Sequence, residues 1–324
     1  MSSMSEWVLP VTLQPRQEDF AFDLPRTLAS MVGVHALIPE DAFTAQTLGT
    51  ERSGNGVVID DGLVLTIGYL ITEAETVWLN RGDGRSVEGH ALAYDQETGF
   101  GLVQALGKLQ LDPVPFGDSA KAAVGSPVVV GGAGGRSHSL AGRIVAKEPF
   151  AGYWEYALEE AIFTGPAHPN WGGTGLLSAD GRLLGIGSLQ LERGEDEGRS
   201  EHLNMIVPID LLKPILTDLV RFGRVDKPAR PWLGVFATEV DDRVVIAGIS
   251  PKGPAAQAQL KSGDVVLAVG GVPIHSLGQF YRRLWATGAA GVEVPLTLHS
   301  KGVTIDVVLK SADRARFLRV PRMH

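Results

Sequence analysis

The 324-residue sequence contains no cysteine, which rules out disulfides, thiolate metal ligands and a cysteine nucleophile together. It also lacks an HExxH segment and any close histidine pair at helical spacing, so neither a metal nor another cofactor is expected. No apolar run approaches the roughly 20 residues that cross a bilayer, and no membrane span is expected. The first twenty residues, MSSMSEWVLPVTLQPRQEDF, show no basic segment followed by an apolar core of secretory-signal length. A soluble, cytoplasmic protein is expected, or a periplasmic one if the sequence is a mature form. Positive charge is scarce as well: 29 Lys and Arg stand against 37 Asp and Glu, a net charge of -8. A chain that neutralises many phosphates needs clustered cations, so nucleic acid is a poor partner.

Glycine is abundant, with 40 residues, above the usual share of about 7%. Many tight turns, and hence a β-rich chain, follow. The length suffices for two or three domains, each with its own core. Val57–Ile59 and Leu63–Leu65 flank Asp60-Asp61-Gly62, a hairpin signal. Val77-Trp78-Leu79, Asn80–Arg85 and Ser86-Val87 suggest a second hairpin. Short strands and Gly-rich turns in succession indicate an antiparallel barrel or sandwich. Gly131–Gly135 follows an apolar strand but lacks the GK[ST] ending of a phosphate loop, and reads as a barrel loop. The acid-rich run Glu192–Glu201 reads as a solvated, mobile loop. From Pro208, Leu212, Ile215, Leu216 and Leu219 keep one helical face, Pro214 threatens a kink, and Gly223 closes the helix.

Four segments then share one resemblance. Pro166–Leu177 reads PAHPNWGGTGLL, Ser53–Ile59 reads SGNGVVI, Leu65–Ile71 reads LTIGYLI, and Asp95–Val103 reads DQETGFGLV. Gly117-Asp118-Ser119 and Val124-Gly125 follow in the same order. Together they resemble the HtrA/Deg-type serine proteases, whose corresponding loops read roughly NPGNSGGPLL, GSGVII, LTNNHVV and DxxTDLALLK. The resemblance implies a mainly β fold, a chymotrypsin-like double β-barrel followed by a PDZ domain, itself a small β-sandwich with two helices. It also places Tyr69 where the family has its histidine base, Gly99 at the orienting aspartate and Trp171 at the nucleophilic serine. A phenol with an ordinary pKa near 10 is a poor base at neutral pH, glycine has no carboxylate, and an indole cannot form an acyl-enzyme. The catalytic triad is therefore expected to be absent, and the chain to be a pseudoprotease.

Pro231–Val235, PWLGV, and Ser250–Val266, SPKGPAAQAQLKSGDVV, resemble a PDZ domain of the HtrA arrangement. Such a domain captures a peptide or chain terminus at a sheet edge. By resemblance the peptide-binding residues are Trp232, Leu233, Gly234, Val235 and Phe236, with Phe280 on a helix opened by the capping pair Ser276 and Gln279; Leu284 is assigned to the core. The implied organisation is an N-terminal arm over 1–26, a trypsin-like domain over 27–224, a linker over 225–230, a PDZ domain over 231–318 and a tail over 319–324. Residues 1–25, with Trp7, Phe20 and Phe22, read as a surface-hugging arm; in the resembled family such a segment supports a homotrimer. The basic tail, Lys310, Arg314, Arg316, Arg319 and Arg322, reads as solvated or docked to an acidic partner. A scaffold, adaptor or subunit that binds a protein or peptide partner is expected. The alternatives are an enzyme with a relocated centre at His168 or Tyr69, and a holdase-type chaperone.

Overall fold

The computed structural model describes residues 7–194 and 200–319. The chain divides into two compact units, each with its own core. One is formed by residues up to Glu148 with Glu160–Val225, to which Arg319 returns; the other by Pro149–Glu159 and Asp226–Leu318. The sequence had placed the whole of 27–224 in one domain. The structure assigns Pro149–Glu159 to the second unit instead.

In the first unit, α1 (Leu24–Leu28) leads into β1 (Met31–Leu37), and α2 (Ala45–Leu48) precedes β2 (Glu51–Asp60) and β3 (Leu63–Ile67). β4 (Thr76–Asn80), β5 (Ser86–Tyr94) and β6 (Phe100–Ala105) complete a closed barrel in the order β1-β2-β3-β6-β5-β4. The expected turns at Asp61-Gly62 and between Asn80 and Ser86 join β2 to β3 and β4 to β5. Val57, Leu65, Leu79, Phe100 and Leu102 are fully enclosed, and β2 and β3 also bury Arg52, Asn55 and Thr66. Closure leaves this sheet without an edge.

A second barrel follows, of β7 (Pro127–Gly131), β8 (Ser139–Gly152), β9 (Tyr156–Gly165), β10 (Gly175–Leu177), β11 (Leu183–Gly194) and β12 (Ser200–Pro208), in the order β10-β11-β12-β9-β8-β7. The acidic run departs from its expected form. Glu192, Arg193 and Gly194 pair in register with His202, Glu201 and Ser200, so its flanks extend the β11–β12 ladder; the five residues between lie outside the described region. The expected helix from Pro208 is also shorter. A single 3-10 turn, Ile209–Leu211, is followed by α3 (Leu216–Phe222), which begins only after Pro214 and ends at Gly223. Proline has no N–H to donate and clashes with the preceding turn, which accounts for the break.

The arm is more than a surface strap. Leu9 belongs to the second barrel's core cluster, against which Trp7 packs, and Phe20 is buried. The arm's aromatic residues are thus engaged within their own unit. Arg319 accounts for one of the tail's cations: its N–H donates to Glu73 Oε1 at 2.9 Å, and its guanidinium pairs with Asp41. Arg322 lies outside the described residues.

The second unit carries β13 (Val235–Val240), β14 (Arg243–Ile249), α4 (Pro254–Gln257), β15 (Val265–Val269), β16 (Val272–Pro273), α5 (Leu277–Trp285), β17 (Glu293–Ser300) and β18 (Val303–Lys310). The sheet runs β13-β14-β15-β17-β18 with β16 beside β15, which makes β13 an edge strand. Ser276 Oγ accepts from the Gln279 N–H at 3.2 Å and opens α5. The Gln279 side chain accepts from His275 N–H at 2.9 Å, so the capping pair forms one residue further back than the sequence pattern suggests.

Candidate functional site

Two loops of the first unit meet where the sequence placed its degenerate centre. Tyr69 is the middle residue of the 3-10 turn Gly68–Leu70 that follows β3, and part of it remains exposed. Its hydroxyl donates inward to the carbonyl of buried Ser188 at 2.9 Å. Burial pushes the phenol further above its ordinary value of 10, opposed in part by hydrogen bonding with the Trp171 side chain. A Cβ on Gly172 would lie 2.7 Å from the same hydroxyl, so the phenol closes over the loop after Trp171. Gly99 completes the group through its backbone, accepting from the Gly68 N–H at 2.7 Å. Its φ of 85° lies in the left-handed region that disfavours side chains.

The loop is held from below by Asn55, in the middle of SGNGVVI. Its Nδ2 donates to the carbonyls of Asn170 (2.9 Å) and Gly172 (3.1 Å). Its Oδ1 accepts from Ala133 N–H at 2.9 Å, and its own N–H donates to Gly172 O at 2.8 Å. Gly173 lies so close beneath that an added Cβ would fall 1.8 Å from the Asn55 carbonyl oxygen. Two segments more than a hundred residues apart in sequence are thereby fixed to each other.

His168 is fully buried. Its Nδ1 accepts from Asn170 N–H at 3.1 Å, so Nε2 carries the proton and donates to His138 O at 2.9 Å. Burial holds the imidazole below its ordinary range. Trp7 stands edge-on to His168 and His138, with ring centroids 5.6 and 4.9 Å away. Both nitrogens are thus committed to backbone, which gives His168 a structural place.

In the second unit the backbone amides of Leu233, Gly234 and Val235 converge on one carboxylate. Glu155 Oε1 accepts from them at 3.2, 2.7 and 3.0 Å, and Oε2 accepts from Leu233 N–H at 3.1 Å. Burial pushes the Glu155 carboxyl up to about 7, against the pull of these amides and of Arg314. The edge of β13 is engaged too, since Ala237 N–H donates to Tyr153 O at 2.8 Å.

Residues 54–186 match the trypsin-like peptidase domain family and residues 231–310 match the PDZ domain family. The chain carries a trypsin-like peptidase domain followed by a PDZ domain, the arrangement of the HtrA proteases to which it is similar. It is 26% identical over 327 aligned positions to the periplasmic pH-dependent serine endoprotease DegQ of Escherichia coli, covering 95% of this chain and 69% of DegQ. Against Protease Do-like 1, chloroplastic, of Arabidopsis thaliana, identity is 28% over 273 positions, covering 76% and 61%. It spans 58% of the periplasmic serine endoprotease DegP of Salmonella typhimurium. A serine endoprotease from Yersinia pestis shares the fold with a TM-score of 0.52 at 22% identity, over 89% of this chain and 95% of that one. The HtrA-type protease AlgW, solved with a decapeptide, does so with a TM-score of 0.54 at 19% identity, over 92% and 98%. These names give no support to the cytoplasmic expectation. None of the described helices is long and apolar enough to cross a membrane.

Tyr69 lies against the loop that follows Trp171, and the Gly99 carbonyl accepts from the N–H of Gly68, the residue before Tyr69. The amides of Leu233, Gly234 and Val235 share one acceptor, the Glu155 carboxyl. Trp232 lies apart from these amides: it is buried, bridges to Ala312 and packs its ring 5.0 Å from that of Phe317. Phe236, half-buried, has its ring 6.1 Å from that of Tyr153. Phe280, expected at the groove, is fully buried in the same core cluster as Leu284. The α5 residue that meets the tip of the β8–β9 hairpin is Tyr281, whose hydroxyl donates to Gly152 O at 2.8 Å and accepts from Glu155 N–H at 3.2 Å. Asn55, Glu155 and Tyr281 were missed from sequence. The asparagine sits inside a quoted motif; nothing local marks the other two.

Proposed function

We propose that this chain is a catalytically inactive HtrA-like protein that works by binding protein or peptide partners through its PDZ domain, as a scaffold, adaptor or subunit of a larger complex. The observation that carries this reading is that Tyr69, its hydroxyl bonded to the Ser188 carbonyl, lies against the loop of Trp171 and Gly172. The side chains of Tyr69 and Trp171 are unable to serve as general base and acyl acceptor, and Gly99 contributes only backbone. A serine-protease oxyanion hole takes amides from the nucleophile and from the residue two places before it. Here that earlier residue is Pro169, which has no N–H, and the intervening Asn170 N–H is spent on His168. His168, neutral and bonded to backbone at both nitrogens, supports a structural role over a relocated centre.

The PDZ half of the reading is supported by the three convergent amides of Leu233–Val235 and by the edge strand β13, the two features with which such domains take a chain end. The periplasmic setting of DegQ and DegP makes an extracytoplasmic location the one we adopt. Incubating the purified chain with casein, beside E. coli DegQ under the same conditions, tests the inactive state. Intact casein with this chain and cleaved casein with DegQ is the expected outcome; cleavage that survives repurification of the chain would end the proposal.

A further inference from the structure

Successive backbone N–H groups that point into one concavity hold an anion, and a sheet edge beside them accepts an extended strand. In the second unit both positions are already filled by the unit's own hairpin tip. Glu155 delivers a carboxylate to the amides of Leu233, Gly234 and Val235. Tyr153, two residues earlier, lends its carbonyl to Ala237 on the edge of β13, as a bound strand would. Tyr281 clasps the tip from α5 through Gly152 O and Glu155 N–H, and Ala151 and Ala157 pack on the core beneath. Glu155 has a φ of 56°, a left-handed conformation that a non-glycine residue keeps where its surroundings hold it.

We infer that the tip, Gly152–Tyr156, is an internal ligand of the PDZ groove, with the Glu155 side chain standing in for a chain-terminal carboxylate. An external partner, an extended segment ending in a free carboxylate, binds by displacing it. The inference rests on the peptide-binding reading above and adds what occupies the groove and what chemistry must compete for it. An amidated chain end offers no anion to the three amides and does not compete.

The test uses the full chain, immobilised, and decapeptides randomised at their last four positions, offered once with free and once with amidated C-termini and counted by mass spectrometry. The wild type is expected to retain few peptides. Glu155→Ala should retain free-acid peptides at least about tenfold better, the scale of one lost charge-assisted hydrogen-bond set, and amidated ones no better. Tyr281→Phe, which loosens the clasp while keeping the ring, should move retention in the same direction and serves if Glu155→Ala folds poorly. Equal retention by wild type and both variants would overturn the inference. Hydrogen exchange at Leu233, Gly234, Val235 and Ala237 reads the contact without any peptide: protection should fall in Glu155→Ala, and unchanged protection in a folded variant would also overturn it. Retention by none of the forms, with protection lost on substitution, would remove the peptide-binding reading and the competition, and leave the hairpin contact standing.

Discussion

The Gly234 N–H donates to Glu155 Oε1 at 2.7 Å, and the carboxyl that receives it is raised from its ordinary 4.5 to about 7 by burial. Arg314 is the charged group that pulls the other way, and Tyr281 is the titratable neighbour that hydrogen-bonds the Glu155 backbone. A folded-state pKa above the unfolded one means that the native state holds the proton more tightly. Its stabilisation is complete below the unfolded pKa and lost as pH rises through the folded value.

The chain should therefore lose about 3 kcal/mol of this contribution between pH 4 and pH 8. Melting profiles of wild type and Glu155→Gln measure it, since the amide keeps an acceptor and does not titrate. The wild-type Tm should fall relative to the variant between roughly pH 4.5 and 7 and run parallel above that range. Parallel profiles throughout would contradict a raised carboxyl.

Asn55→Ala should destabilise the first unit by about 3 kcal/mol, because it removes three buried side-chain hydrogen bonds and takes these partners from the Asn170 carbonyl and the Ala133 N–H, while Gly172 keeps only the bond from the backbone N–H of residue 55. Urea unfolding followed by tryptophan fluorescence gives the number. A loss under about 1 kcal/mol would mean that water replaces the side chain.

Much of this architecture is legible in the sequence because its signals are local. Asp61-Gly62 predicts its turn from two residues, and PWLGV marks the loop whose amides face one point. The rest depends on long-range contacts. Glu155 meets Leu233 from 78 residues away, and no periodicity announces a glutamate that will fold into a ring of amides. Phe280 and Tyr281 are adjacent aromatics on one helix. Only the packed structure shows that the phenylalanine fills the core and the tyrosine meets the hairpin. Pro214 shows the opposite case, in which a sequence signal was present and understated, breaking the helix where a kink was expected.

Gly99→Asp, which puts a carboxylate where the sequence resemblance places an orienting acid, should destabilise the first unit by roughly 1–2 kcal/mol, since the backbone there is left-handed. Thermal melting should show the loss with no gain of casein cleavage. A neutral effect on Tm would mean that the backbone relaxes to accommodate the new side chain.

Tyr69→Phe removes the donor to the Ser188 carbonyl. It should cost about 1 kcal/mol in urea unfolding, the usual worth of a neutral hydrogen bond, and leave peptide retention by the second unit unaltered. Altered retention would give Tyr69 a role in binding that this account does not assign.

The proposed inactive state is tested most directly by intact-mass spectrometry after exposure to a fluorophosphonate, with E. coli DegQ as the reactive control. This account predicts an unshifted mass for the chain while DegQ gains one adduct. A stoichiometric adduct on any serine of this chain would contradict it and place a working nucleophile where Trp171 and Tyr69 leave none.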